Sequence, residues 1–486
     1  MLIMKPMSKI GRNIFWLTLS RLAAWAILFF AYTQLFRYLG PVGSGQFQYV
    51  LSFIFIFTTL VDLGIHTYII QTVSREKEQA RKYFFNFLAF EIIIAPLVYL
   101  LSVAIAYFQV TDPVVLWAIV IGGLGIIMGA ITLPFMAVIS AFQDLKKVAL
   151  AQFLVSAVNA VFIFSAVIFQ LYIVFLASAA MAANLVILIL YARIIRRYIG
   201  ALNLSEAFRL IDFSLIKSLI KVAWPFMLLV GFAVVYNRID VLIMKFFLDY
   251  EQVGLYSAAY KFFDLLGFFP AVVYASLYPF FSAKRAELDK GEIRTAIEKY
   301  FRFMSFVGLP MAVGGMILAR QLIILIAGTE FVAAAPVLSI LVWGSLILFI
   351  YSPANALIIA HLTKKAAAVT GVNVAVNIIG NIILIPIIGI KAAAIMTLIS
   401  ESVQAFFYYF FIYRGITPFH SLRFVVKPLV GAAVMGLGLW YIRDWPLYLT
   451  LPIGAVVYFG VMWILRFYTK EDLLFVKNFL KREAAS

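Results

Sequence analysis

Charged and amide side chains recur inside stretches of this chain that are otherwise apolar, and their types limit the chemistry open to them. Residues 13–36, NIFWLTLSRLAAWAILFFAYTQLF, hold Arg21 well inside the run, where a guanidinium costs about 2.5–3.5 kcal/mol on insertion scales. Asp62 and Glu91 lie in the next two apolar runs, and a helical rise puts all three roughly 10–12 Å in from the basic ends. A second set sits further on: Arg238 and Asp264 near mid-run, Lys261 somewhat shallower, and Asp240 two residues from Arg238 and so on another helix face. Lys261 and Asp264 are three apart and share a face, with Tyr260 beside them. Two chemistries fit such sets. The charges neutralise one another and fix helix packing, or the carboxylates form a gating or coupling site that takes up a proton or cation in one state. Glu401, near the middle of its apolar run, is a further acid open to either role. Asn373, Asn377 and Asn381 recur every four residues as one polar stripe, suited to lining a cavity or to joining helices.

Other chemistries are excluded. The chain has no cysteine, so thiol catalysis, disulfides and thiolate metal ligation are absent. His66, His361 and His420 are far apart and form no HExxH-type spacing, so neither a metal nor an organic cofactor is expected. No GxxxxGK[ST] phosphate loop occurs, which removes ATP hydrolysis through a Walker site.

The elements that must hold these groups are membrane helices. Of 486 residues, 65% are hydrophobic and 13% charged, with a mean hydropathy of +1.04, and apolar runs of spanning length recur from end to end. Runs such as YVLSFIFIFTTLV lack the two-residue alternation of a barrel strand. Splitting them at polar segments predicts an all-α polytopic membrane protein of fourteen transmembrane helices. These begin near Ile14, Phe47, Phe84, Val114, Ala149, Tyr172, Leu219, Gly254, Tyr300, Ala334, Ala367, Ile390, Pro428 and Leu447. Alternate loops are basic: SREKEQARK, DLKK, ARIIRRY with FRL and IKSLIK, SAKRAELDKGEIRTAIEKYFR, HLTKK and YRGITPFHSLRFVVK, together with both termini, hold 31 of the 39 Lys and Arg. The other loops hold about five, which places both termini in the cytoplasm of a cell-membrane protein. The net charge of +17 is then topology, not nucleic-acid binding. The segment LNLSEAFRLIDFSLIKSLIK reads as an amphipathic linker on the cytoplasmic surface. Gly125 and Gly129 form a GxxxG that reads as packing within the chain.

The chain also repeats itself. LGPVGSGQFQY, a long helix and SREKEQARK are echoed by LDYEQVGLYSA, a long helix and AKRAELDKG, with Gly45 and Gly254 at the same offset as Arg75 and Lys284. KKVALAQFLVSAVN is echoed by KKAAAVTGVNVAVN, which sets Asn159 against Asn377. Six helices per copy is an even number, so the copies insert the same way up. The expected organisation is an N-lobe at 1–198 (spans 1–6), a linker at 199–218, a C-lobe at 219–414 (spans 7–12), and two more spans with a basic tail at 415–486.

LGPVGSGQFQYVLSFIFIFTTLVDLGI, NRIDVLIMKFFLDYEQVGLYSAAYKFFDLL and GVNVAVNIIGNIILIPIIGIKAAAIMTLISE together resemble the polysaccharide-biosynthesis, Wzx-type oligosaccharide flippases of the MOP exporter superfamily, which also holds lipid II flippases and MATE drug exporters. The resemblance implies two six-helix lobes around a cavity and alternating access. It implies a transporter, not an enzyme, that moves a polyprenyl-(pyro)phosphate-linked oligosaccharide from the cytoplasmic to the outer leaflet. In that setting Arg21, Arg238 and Lys261 are the candidates for pyrophosphate contact, since guanidinium and ammonium groups both bind phosphate. Asp62, Glu91, Asp240, Asp264 and Glu401 are the candidates for gating or for coupling to H+ or Na+. Tyr260, Asn159, Asn373, Asn377 and Asn381 are the candidates for sugar contact or cavity lining. The partners implied are membrane lipid and glycosyltransferases or a polymerase of the same pathway, with the chain acting as a monomer. The alternative is a MATE-like cation-coupled multidrug exporter, whose cationic cargo would favour an acidic cavity.

Overall fold

The structure, a computed structural model, describes residues 9–62, 64–201, 209–283, 290–418 and 422–468, the side chains of 9–25, of most of 223–235 and of 145, 276, 279, 283, 422 and 423 excepted. Among these residues every regular element is helical. α1 spans Lys9–Asp62, α2 Ile65–Arg75, α3 Ala80–Gln109, α4 Pro113–Ala141, α5 Leu145–Phe169, α6 Ile173–Ala177 and α7 Ala179–Ile199. α8 follows at Phe213–Phe247, α9 at Tyr250–Leu266, α10 at Phe268–Ala283, α11 at Lys290–Ile317 and α12 at Ala319–Ala327. The last five are α13 at Ala335–His361, α14 at Thr363–Ile388, α15 at Ile390–Gly415, α16 at Leu422–Tyr441 and α17 at Leu447–Ile464.

Twelve helical stretches among the described residues are long and apolar enough to cross a membrane, two fewer than the fourteen expected. One reason is α1, whose 54 residues unite the first two expected spans. A straight helix of that length would measure about 80 Å, against a bilayer core of about 30 Å. The chain turns instead at Gly40, whose φ of 64° and ψ of −177° are non-helical and open to glycine, with Pro41 just after it. The other reason is α8, whose side chains are described only in part and which lies outside that count. The second expected span is also interrupted: α1 ends at Asp62, and Gly64 takes a left-handed conformation (φ 74°) before α2 begins.

The chain divides into two compact units, 1–257 with 378–390, and 258–377 with 391–486, so the division falls within α9 and α14. In the first unit α4 packs against α3 and α7, and α1 against α5. Val50, Ala118, Ile119, Ile126 and Ile173 form one fully buried core, while Phe84, Phe87, Val138, Ile139 and Ile195 form another. Gly122 and Gly125 let α4 approach closely: a Cβ on Gly125 would lie 3.1 Å from Ala180 Cβ. That GxxxG thus packs within the chain, as small residues do in membrane helices. α4 starts where Asp112 accepts from the Val114 and Val115 amides at 2.9 and 3.4 Å, with Pro113 in the first turn.

In the second unit α13 packs against α10 and α11, around Phe281, Ile297, Met304, Leu357 and Ile412. α11 also packs against α16, and α16 against α17, through Leu309, Ala432, Met435, Tyr458 and Met462. Elsewhere the helices show apolar side chains outward, as at Ile92, Ile93, Leu97, Leu100 and Leu101 on α3. Such a face suits hydrocarbon, where helices satisfy their own backbone groups.

Candidate functional site

The first unit holds two groups of intramembrane polar residues. The break between α1 and α2 organises the first. Because α1 stops at Asp62, the N-terminal amides of α2 need acceptors, and Asp62 Oδ1 accepts from the His66 amide at 3.2 Å. Its Oδ2 is bonded to His66 Nδ1, and Thr67 Oγ1 lies 3.1 Å from His66 Nε2. Asp62 thus caps a half-helix and carries a histidine partner across the interruption. Sequence reasoning missed His66 in this role. The signal was present in DLGIH, where the two side chains stand four residues apart around a glycine.

Glu91, on α3, is fully buried, and neither carboxylate oxygen has a hydrogen-bond partner among the described residues. Asp62 acts on it through space. A buried carboxylate without donors is costly in its charged form, and this arrangement suits a group that holds a proton or receives a cation. The expected third member of this group, Arg21, lies on α1, but its side chain is outside the described residues.

The second group lies on α8 and the start of α9. Asp240 is buried and accepts from the Tyr256 hydroxyl at 2.6 Å and from the Val241 amide at 2.8 Å. Arg238 is half-buried, with its guanidinium 5.8 Å from the centre of the Phe55 ring on α1, within the range of a cation–π contact. It acts on Asp240 through space but forms no ion pair among the described residues. Its donors are thus not consumed by a carboxylate of the described residues. Asn159 donates to the Val155 carbonyl of its own helix at 2.9 Å, and Asn381 is fully buried on the part of α14 that belongs to this unit.

In the second unit the polar groups are more fully engaged. Lys261 pairs with Asp264 at 3.8 Å, and the Tyr260 ring lies 5.1 Å from that of Phe263. Glu401, buried on α15, accepts from the Tyr351 hydroxyl at 2.7 Å. Asn373 donates to Gln404 at 2.9 Å and Asn377 to Ser400 at 3.1 Å, so this part of the stripe joins α14 to α15. Gln404 continues the chain to Tyr408 at 3.3 Å.

On the basic side of the first unit, Asn86 is fully buried. It donates to the Leu210 carbonyl at 2.8 Å and accepts from the Asp212 amide at 2.7 Å. Asp212 caps α8 and pairs with Lys82 at 3.1 Å. Its carboxyl is held down to about 2 by bonds from Ser214 and the Leu215 amide, and then by Lys82. Among the described residues no three His, Asp or Glu side chains cluster as metal ligands would.

Solved structures of similar shape include the lipid II flippase MurJ in an inward closed conformation. It superposes with a TM-score of 0.74 at 15% identity, covering 92% of this chain and 98% of that one. An inward-facing multidrug-resistance MATE transporter of the MOP superfamily superposes at 0.61, again with 15% identity, covering 80% and 96%. At such identities the likeness concerns the fold, which is that of the MOP exporters. In sequence, the chain is 26% identical over 170 residues to the probable low-salt glycan biosynthesis flippase Agl15 of Haloferax volcanii, covering 35% of this chain and 36% of that protein. It is 23% identical over 229 residues to the probable flippase AglR of the same organism, covering 46% of each. The chain thus spans about a third to a half of the curated relatives it matches. The profile of the polysaccharide biosynthesis protein family matches residues 10–284, more than half of the 486 residues, and the chain belongs to that family.

Proposed function

We propose that this protein is a flippase that carries a polyprenyl-(pyro)phosphate-linked oligosaccharide from the cytoplasmic to the outer leaflet of the cell membrane by alternating access. The observation that carries the reading is Arg238, a half-buried guanidinium in a membrane helix with no ion pair among the described residues. A diphosphate crossing a low-dielectric region needs cationic donors, and a planar fork supplies two bonds at once. Family membership and the relatives named as flippases point the same way. Lys261 is a weaker contact, since Asp264 already engages it; Arg21 joins Arg238 on the resemblance of its helix position.

Glu91, with Asp62 and His66 beside it, is the proposed coupling site, loaded with a proton or Na+ in one state. In the second unit, Glu401 with Tyr351 and the amides of α14 serve chiefly to hold helices together. The working organisation is the two-lobe monomer with both termini in the cytoplasm, passing its product to glycosyltransferases or a polymerase. The second reading, a cation-coupled drug exporter, draws on Glu91, whose carboxylate has no donor among the described residues and also suits an organic cation.

Reconstitution in liposomes with a polyprenyl-pyrophosphate oligosaccharide tests the proposal, with leaflet exposure followed by an added lectin or glycosidase. Transport by the wild type and its loss in Arg238→Ala support the flippase. Export of cationic dyes, with no movement of any lipid-linked glycan, replaces it with the exporter.

A further inference from the structure

α10 carries two tyrosines whose rings are joined to each other and whose hydroxyls are unspent. Tyr274 and Tyr278 share one helix face and stack with ring centres 5.5 Å apart and planes 15° from parallel. The half-buried Tyr274 backs Tyr278, which is 37% exposed. Among the described residues neither hydroxyl takes part in a hydrogen bond. The helix is fixed beneath them by Val273, Leu277 and Phe281, which pack into the core of the second unit. The strip beside the rings is small-sided and open, at Ala271, Ala275 and Ser282.

Behind the rings lies a polar chain. Tyr274 stands within electrostatic reach of Tyr408 on α15, and the Tyr408 hydroxyl accepts from Gln404 at 3.3 Å and meets the Thr370 hydroxyl of α14. Gln404 in turn accepts from Asn373, whose own carbonyl oxygen is buried with no partner among the described residues. The helical rise puts Tyr278, Thr370 and Tyr408 about 8–11 Å in from the basic ends of their helices, and Tyr274, Asn373 and Gln404 about 14–17 Å in. The chain is turned away from lipid. At about 100° per residue, Gln404 and Tyr408 lie opposite the exposed Ile399, Phe406 and Tyr413 of α15. A tyrosine of the interfacial belt sits at headgroup level; Tyr274 is deeper than that and backed by amides and hydroxyls.

We propose that the Tyr274–Tyr278 face is a sugar-contact site, where the exposed ring packs against the C–H face of a pyranose and the unspent phenols bond its hydroxyls. That the pyranose belongs to the carried glycan rests on the flippase reading; the site itself rests on the geometry. A tyrosine ring offers a negative face to polarised C–H groups and a hydroxyl at its rim, and it orders at little entropic cost because it has only two side-chain torsions. An organic cation fits less well. It seeks the open faces of aromatic rings, whereas these two rings cover one another. Glu401, the acid that acts on Tyr408, already accepts from Tyr351.

Saturation-transfer NMR on the full chain in lipid nanodiscs tests the site. The probes are the methyl glycosides of glucose, galactose, mannose and N-acetylglucosamine, with tetraphenylphosphonium as the cationic comparison. Transfer to the ring C–H protons of at least one glycoside supports the proposal if it falls about tenfold when Tyr274→Leu and Tyr278→Leu are combined, and only in part in Tyr278→Phe. Tyr278→Leu alone, at the exposed ring, carries the same test where the double substitution does not fold. Phe280→Leu is the control, since Phe280 is exposed on the opposite face of α10; it should leave transfer unchanged. No transfer to any glycoside, equal transfer in the wild type and the leucine variants, or transfer to tetraphenylphosphonium alone overturns the proposal. In liposomes, Tyr278→Leu should raise the apparent KM for a polyprenyl-pyrophosphate oligosaccharide about tenfold at an unchanged maximal rate, because a contact kept throughout the step alters binding only. An unchanged KM overturns the assignment to the carried glycan. If the wild type moves no lipid-linked glycan, the flippase reading fails while the glycoside measurement still decides the site.

Discussion

Tyr256 and Asp240 are locked together: the phenol donates to Oδ2 at 2.6 Å while the Val241 amide donates to Oδ1 at 2.8 Å. The bond ties the start of α9 to the end of α8 and commits the acid nearest Arg238 in sequence. Removing the hydroxyl leaves a buried acceptor short of a donor, at a cost of about 1–3 kcal/mol. Tyr256→Phe should therefore lower the melting temperature in detergent. An unchanged melting temperature would mean that the bond carries no net stability.

Arg238 should behave in the opposite way. With no ion pair among the described residues to break, Arg238→Ala should leave the melting temperature within the range of ordinary exposed substitutions, about 0.5 kcal/mol. Transport should fall at least tenfold, and Arg238→Lys should recover part of it, because a point charge still attracts phosphate without the two-pronged bond. Loss of folding in Arg238→Ala would mark the residue as structural.

Glu91 is buried without donors among the described residues, so Glu91→Gln should fold as well as the wild type or better. Its effect should appear in coupling: transport in liposomes should no longer respond to an imposed proton or sodium gradient. A gradient response kept in full by Glu91→Gln would move the coupling site elsewhere.

Asn377 and Ser400 offer a cleaner energetic test. Hydrogen bonds between membrane helices average about 0.6 kcal/mol and reach about 1.7 in double-mutant cycles. Alanine at both positions, singly and together, should give a coupling energy within that range. A value of zero would free Asn377 for the cavity-lining role.

Asp212 sets a pH response at the basic face. Its carboxyl titrates at about 2 in the folded chain, below the usual value of about 3.9. A depressed pKa gives stability that is present in full above about 3.9 and is lost as pH falls towards 2. Protection of the Ser214 and Leu215 amides from hydrogen exchange should fall across that window. Asp212→Asn should flatten the response, and an identical response in the variant would show another group at work.

The helical fold was legible because apolar run length and loop charge both report on it. The break at Asp62 was not, since LVDLGI continues the apolar run and a single left-handed Gly64 leaves hydropathy almost unchanged. Hydropathy also divided this stretch at polar residues, and the chain there bends at the non-helical Gly40 between two helical arms. Within the site, spacing exposed Lys261 with Asp264, because three residues along a helix determine the contact. It could not assign Tyr351 to Glu401 or Tyr256 to Asp240, where the partners stand 50 and 16 residues apart and tertiary packing alone brings them together. The repeat reading set Gly45 against Gly254, but such a match does not imply contact.

The bend at Gly40 also bears on how the protein is made. Because α1 runs through that turn without a loop, its two arms are one covalent unit as they leave the ribosome. The first arm, which contains Arg21, has no long tether on which to wait in the bilayer alone. Because the two arms join directly at Gly40, entry of the first arm into lipid is expected to be coupled to that of the second.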